Sequence, residues 1–296
     1  MPLPLVTIVA LCHNHAPFLR AALDSIRQQD YPALEVWLVD NGSTDGSPAL
    51  LRAYAQANPG WHLLLLPENL GNCRAFNQAF WQSRGEFVVD FATDDVLLPQ
   101  RLRQQVALFQ ALPTDYGMVY SNCELLSESG QSLGPYYRLS SAGGRLPQPA
   151  SGWVFADVLA RFFISTPTML LRRACLAALG GYDERLSYED FDFWVRASRD
   201  WRFQYQDVVT TRKRLHPRSL SAQTTRYYNP HLASTLAVCA KALDLCRTPA
   251  EYRALARRLR YELLHALRRR QWAEARTAAR LLVQVVGGIV GGRGQA

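Results

Sequence analysis

Two adjacent carboxylates, Asp94 and Asp95, stand in the run Phe91-Ala92-Thr93-Asp94-Asp95-Val96-Leu97-Leu98-Pro99. Like charges this close raise each other's pKa, and a hard divalent cation removes that cost. Mg2+ or Mn2+ takes one or two protein carboxylates and completes its shell with substrate phosphate and water. The bland reading, a solvated turn or an N-cap for a helix at Pro99, holds unless other groups converge on the pair. Candidates for such convergence are His13-Asn14, Asp40 and the acidic Glu189-Asp190-Phe191-Asp192.

The surrounding elements predict that convergence. Val6 to Leu11 and Leu34 to Val39 are apolar, β-branched runs suited to strands buried on both faces, as is Glu86 to Phe91. Trp61 to Leu66 reads as a further strand. Helical spacing occupies Pro17 to Gln28, Pro48 to Ala57 and Gly71 to Ser83 between them. Strand alternating with helix predicts an α/β fold with a parallel sheet, in which ligands sit at the carboxyl ends of the strands. His13-Asn14, Asp40 and Asp94-Asp95 all fall at those ends. Beyond them, Tyr116 to Asn122, Thr168 to Arg172 and Phe203 to Thr211 read as strands. Trp153 to Phe163, Arg173 to Leu179 and Tyr188 to Trp201 read as helices. Ser127 to Ser151 is a long loop or a pair of short strands, and loops of that length are often functional.

Short motifs follow in a fixed order: Val6 to Asn14, Asp40 to Asp45, Asn69-Leu70-Gly71 through Asn77, Gly85-Glu86-Phe87, and then the Asp pair. Gly180-Gly181-Tyr182-Asp183-Glu184, Glu189-Asp190 and Arg214-Leu215-His216 through Ser221 complete the series. This order closely resembles the family 2 glycosyltransferases over about residues 4 to 222. The resemblance implies a single Rossmann-like A-type domain with a mixed central sheet, working on a nucleoside diphosphate sugar with Mg2+ or Mn2+. It implies that Asp40 and Asn14 lie at the nucleotide base and Arg74 near the base or diphosphate. Asp95 would bind the metal, Asp94 the ribose or the metal shell, and His216 would be a further metal or diphosphate contact. Asp190 matches the family's general base. The chain departs at Ala92, where many relatives carry an acid. It also lacks the Gln-x-x-Arg-Trp motif of processive synthases, so an inverting transfer of one sugar is expected, to a saccharide or lipid-linked acceptor in cell-surface polysaccharide or glycoconjugate synthesis. Asp40 suits a pyrimidine imide, which favours UDP- or dTDP-sugars. Trp153 and Tyr136-Tyr137 are candidates for stacking on acceptor sugars, or for burial.

Charge narrows the function further. Residues 1 to 246 carry equal numbers of basic and acidic groups, and the formal net charge of +8 resides entirely in 247 to 296. No basic face is expected on the main domain, which argues against nucleic acid. From Asn229 the apolar spacing becomes helical. The expected organisation is a catalytic domain over 1 to 224, a helical extension over 225 to 290 and disorder over 291 to 296. Arg253, Arg257, Arg260, Arg268, Arg269, Arg270 and Arg276 form either a solvated face or a site for anionic lipid head groups. Six cysteines without a CxxC pair read as reduced and mostly buried. Neither a signal peptide nor a run of ~20 apolar residues is found. The expected location is cytoplasmic, peripheral at the inner membrane face. Two rivals differ in class. A non-catalytic sugar-nucleotide-binding or scaffolding relative would have lost Asp95 or Asp190, and both are present. A nucleotidyltransferase needs a Gly-rich basic loop where Cys12-His13-Asn14-His15-Ala16-Pro17 stands.

Overall fold

The computed structural model describes residues 3–141, 143–219, 222 and 228–291, with side chains to residue 288. The boundary expected at residue 224 lies outside the described residues, as do 292–296 of the expected disordered end. Gly291 closes the last helix.

Strand β1 (Val6–Cys12) is buried at every position, so its seven-residue apolar run needs cover on both faces. It pairs in parallel with β2 (Leu34–Asn41) and with β4 (Phe87–Ala92), and β2 pairs in parallel with β3 (His62–Leu66). Helices α1 (Ala16–Arg27), α2 (Ser47–Ala57) and α3 (Asn72–Gln82) make the crossovers. After the Asp pair come β5 (Val96–Leu97), α4 (Arg101–Ala111) and β6 (Tyr116–Leu126). The long segment that follows holds β7 (Ser132–Pro135), which pairs with β6, and the small ribbon of β8 (Arg138–Leu139) and β9 (Arg145–Leu146). Then come α5 (Phe155–Ala160), a 3-10 turn (Thr166–Thr168), β10 (Leu170–Arg172), α6 (Arg173–Ala178), α7 (Asp190–Ala197) and β11 (Arg202–Arg214).

Among the described residues the main sheet runs β3-β2-β1-β4-β10-β6-β11-β5, with β7 alongside β6. It is mixed, as expected. β10 is antiparallel to both β4 and β6, and β5 is antiparallel to β11. One face packs α1, α2 and α4 through Leu19, Ile26, Leu51, Val106 and Phe109. The other packs α3, α5, α6 and α7.

The chain closes with α8 (Leu232–Leu245), α9 (Pro249–Arg268) and α10 (Trp272–Gly291). Thr248 and Glu251 form a reciprocal capping box at the start of α9. These helices share the second core rather than standing apart from it. Leu236, Leu255, Leu259 and Val285 are buried in the same cluster as Val88 and Phe193. Lys241 bridges Asp183 (2.6 Å) and Asp192 (2.5 Å), and Arg199 pairs with Glu251 (2.9 Å). All six cysteines are buried and free.

Candidate active site

The carboxyl ends of β1, β2 and β4 lie side by side because the three strands are adjacent in the sheet. At the end of β2, Asp40 is 2% exposed. One of its oxygens accepts the Ser43 backbone N–H (3.1 Å), and Oδ1 is buried without a hydrogen-bond partner. Gly42 holds a positive φ of 67° where the loop presses on the Glu68 and Asn69 backbone, so any side chain there would collide with it. Asn14, after β1, also has positive φ (58°), a region Asn tolerates better than most residues. Its Oδ1 accepts the Thr44 N–H (2.8 Å), and its own N–H donates to Ser43 Oγ (2.9 Å). Asp45 in turn accepts the Ala16 N–H at the start of α1 (3.0 Å). The loops carrying Asn14 and Asp40 are therefore stitched together.

Asp94 and Asp95 follow β4 in a tight turn that β5 fixes to the far end of β11 (Val96 opposite Arg212). That pairing brings Arg214-Leu215-His216 onto the Asp pair from about 120 residues away in sequence. Asp95 accepts the Arg214 backbone N–H (2.8 Å), and the Arg214 guanidinium donates from Nε to the Asp94 carbonyl (3.1 Å) while lying over the Phe18 ring. His216 Nε2 is 3.0 Å from Asp94 Oδ2. Burial pushes the Asp94 carboxyl up. The His216 hydrogen bond and the nearby His15 and His216 outweigh it, so the group titrates below its usual range. Asp95 goes the other way, pushed well above that range by burial and by the Asp94 charge, against Lys213 and Arg214.

Among the described residues no three His, Cys, Asp or Glu side chains converge to hold a cation by themselves. The donor set still suits Mg2+ or Mn2+ bound jointly with a diphosphate, which asks for only one or two protein carboxylates. Asp94 Oδ1 is buried and without a partner, as is His216 Nδ1. A cavity of about 470 Å³ lies beside His216, lined by Leu215, Pro217, Ser219 and Ala222.

Asp190 opens α7. Its Oδ2 accepts from Thr166 Oγ (2.9 Å) and its Oδ1 from the Phe191 N–H (2.6 Å). Burial raises its carboxyl despite these bonds and despite Lys213. Around it lie two further acids, Glu189 of the same motif and Asp90, which the sequence placed only inside a strand. Burial, with the Asp190 charge, pushes Asp90 up to about 7 against the neighbouring Tyr182 hydroxyl. Burial and the charges of Asp90 and Asp190 raise Glu189 well above its usual range. The signal for Asp90 was available, since it is the one charge in the apolar run Phe87–Ala92. Thr166 carried no comparable signal.

The structure thus joins His216 to Asp94 and Arg214 to Asp95 by direct contact, and joins Asn14 to the Asp40 loop. Arg74, on α3, instead pairs at 3.5 Å with Glu184 across an exposed surface. Of the stacking candidates, Tyr137 is fully buried with its hydroxyl on the Phe163 carbonyl, so it cannot stack on an acceptor. Trp153 is 61% exposed.

Residues 7–140 match the family model described as glycosyl transferase family 2. An uncharacterized glycosyltransferase of Rickettsia prowazekii is 26% identical over 223 residues, which cover 75% of this chain. The chain spans 66% of that relative's length, just under two thirds. Among solved structures, Staphylococcus aureus TarS in complex with UDP superposes with a TM-score of 0.63 at 18% identity, covering 86% of this chain and 70% of TarS. The mannosyltransferase PcManGT of Pyrobaculum calidifontis, in complex with GDP-Man and Mn2+, superposes with a TM-score of 0.64 at 23% identity. That match covers 97% of this chain and 76% of PcManGT. At these identities the two structures speak for the fold.

Proposed function

We propose that this chain, whose residues 7–140 match glycosyl transferase family 2, works as a member of that family and moves one sugar from a nucleoside diphosphate sugar to an acceptor hydroxyl, with inversion at the anomeric carbon. The observation that carries this reading is the pair of unpartnered, buried carboxylate oxygens, Asp40 Oδ1 and Asp94 Oδ1, at neighbouring strand ends. A buried acceptor without a donor is costly, so each calls for a donor from a ligand. A pyrimidine imide N–H meets the need at Asp40, and a ribose hydroxyl or a cation meets it at Asp94. The stitched Asn14 and Asp45 loop holds the base end in place.

Asp95, Asp94 and His216 are the residues that would hold Mg2+ or Mn2+. Such a cation supplies Lewis-acid stabilisation of the leaving diphosphate. Asp190 takes the proton from the acceptor hydroxyl as its oxygen attacks C1, and the direct displacement requires no enzyme nucleophile. The exposed Trp153 offers an apolar face to an acceptor sugar. The acceptor is a saccharide or a lipid-linked saccharide, in synthesis of surface polysaccharide or glycoconjugate.

A thermal-shift panel tests the donor assignment. UDP and dTDP, with Mn2+, should stabilise the protein by about 2–3 kcal/mol at roughly a hundredfold excess over Kd. Asp95→Ala should lose the metal-dependent part of that gain. If neither these nor GDP stabilises the parent chain with or without metal, the donor site is misassigned.

The basic extension supports a further part of this proposal, docking on an anionic membrane face from the cytoplasmic side. No helix among the described residues is long and apolar enough to cross a membrane. On α9, Arg257, Arg260 and Arg268 share the exposed surface with Tyr261, Leu264 and Leu267, and Trp272 follows. Glu251 and Glu262 are buried, which removes them from that surface. Arg161, Arg253 and Arg257 also line a cleft of about 310 Å³ between α5 and α9. Basic residues interleaved with exposed aromatic and aliphatic groups fit a negatively charged interface. Phosphatidylglycerol-containing vesicles should sediment the protein while phosphatidylcholine vesicles leave it in solution, and Leu264→Glu with Trp272→Ala should abolish the difference. Equal behaviour on both vesicle types would sink the membrane assignment.

A further inference from the structure

We infer that Lys213 contacts the diphosphate of the donor, supplying from the protein a positive charge between the metal carboxylates and the general base. This rests on the donor reading above and extends it to a residue outside the family motifs quoted from the sequence.

The placement follows from the strand. β11 hydrogen-bonds to β5 through Thr211 and Arg212, immediately after the Asp pair, and in regular register to β6 through Cys123 to Leu126. Alternation along a strand puts Thr211 and Lys213 on one face and Arg212 on the other. Arg212 is exposed and pairs outward with Glu124 (2.9 Å). Thr211 is fully buried, and its hydroxyl meets the Pro167 carbonyl (3.3 Å) in the 3-10 turn. That same turn supplies Thr166, which holds Asp190. Lys213 therefore follows Thr211 toward the turn that fixes the base. On its other side, the next residue, Arg214, donates its backbone N–H to Asp95. The ammonium charge favours the ionised forms of both Asp95 and Asp190, which agrees with a position between them.

What distinguishes Lys213 from its neighbours is that it is uncommitted. It is half-buried, yet its side chain forms no ion pair or hydrogen bond among the described residues. Arg214 is engaged by the Asp94, Ser127 and Glu128 carbonyls, Arg101 by the Pro167 and Met169 carbonyls, and Arg74 by Glu184. A half-buried cation with no directly bonded partner has donors to spare, and a bound polyanion supplies acceptors for them. A lysine ammonium is a compact donor well suited to phosphate oxygens. The exposed Ala92 at the end of β4 gives the same conclusion from the other side. Without a carboxylate there, the site holds less negative charge facing the diphosphate.

The test is calorimetric titration of UDP, dTDP and GDP, and of the matching monophosphates, each with Mn2+. Parent, Lys213→Met and Lys213→Arg are compared, with thermal melts to confirm folding. For the diphosphate that the parent binds best, the Met variant should lose roughly 10- to 100-fold in affinity, the range for a hydrogen bond to a charged group. Its affinity for the monophosphate should change less than about threefold, and Lys213→Arg should restore most of the loss. A folded Met variant that binds the diphosphate like the parent overturns the inference. Equal losses for mono- and diphosphate overturn it too, since they mark a general disturbance of the pocket. If the parent itself binds none of the diphosphates, the donor reading fails, and that outcome is separate because it appears before any substitution.

Discussion

Asp190→Asn lowers sugar transfer by about 10² to 10⁴-fold, the usual contribution of a positioned general base, while donor affinity stays within about twofold of the parent. The substitution separates charge from shape. Phe191 N–H still finds an amide oxygen at Oδ1, and the Thr166 hydroxyl can reverse to accept from the new amide, so α7 keeps its first turn. What is lost is the ability to take a proton. The loss therefore falls on kcat, and steady-state kinetics with a donor-binding measurement separate the two. A pH profile gives an independent reading. Burial holds the Asp190 carboxyl above its ordinary value, and a base acts only when ionised. Activity is full above the raised pKa and falls as pH drops through it, so the acid limb of kcat lies above the usual aspartate range. Asp90 and Glu189 share the pocket and are raised as well, so the limb belongs to the cluster rather than to one residue. Turnover by Asp190→Asn close to that of the parent would remove Asp190 from the chemistry.

The parts of this site that were legible in sequence share one property: a continuous apolar run ends abruptly on polar residues. Val6–Cys12, Leu34–Asn41 and Phe87–Ala92 each do so, and a parallel sheet must then bring those ends together. What escaped was set by long-range pairing. β5 is two residues long, too short for any periodicity, yet it fixes β11 against Asp94-Asp95, and β10, legible as a strand, gave no sign of its antiparallel place joining the two halves of the sheet. Charge arithmetic misled in one respect. It counts Arg258 and Glu262 as tail charges, but both are buried. Arg258 lies over the Phe162 ring at 3.9 Å and donates to the Leu159 carbonyl. An arginine can pack its planar face like an apolar group while its edge finds acceptors, and composition cannot distinguish that from a solvated one. The helical extension expected from the spacing is thus built into the second core.

Arg101→Met destabilises the fold by about 2–6 kcal/mol, since two buried backbone carbonyls lose their donor at about 1–3 kcal/mol each. Arg101 is fully buried at the start of α4, and burial lowers its guanidinium to about 9. It donates to the Pro167 carbonyl (2.7 Å), the Met169 carbonyl (2.8 Å), Thr211 Oγ (2.9 Å) and Gln105 Oε1 (3.1 Å). Methionine fills much of the volume and satisfies none of these acceptors, so two backbone carbonyls lose a charged donor in a dry interior. The damage is placed where function is most exposed to it. The Thr166–Thr168 turn holds Asp190 through Thr166, and Thr211 precedes the residues that grip Asp95. One guanidinium thus ties the base side of the site to the donor side. Denaturant melts should show the stability loss. At a temperature where the variant remains folded, kcat should fall more than donor affinity, because the turn carrying Thr166 loses its anchor while the Asn14 and Asp40 loops do not depend on it. Unchanged stability would mean that the carbonyls find other donors. A folded variant with full kcat would show that the turn holds Asp190 without Arg101.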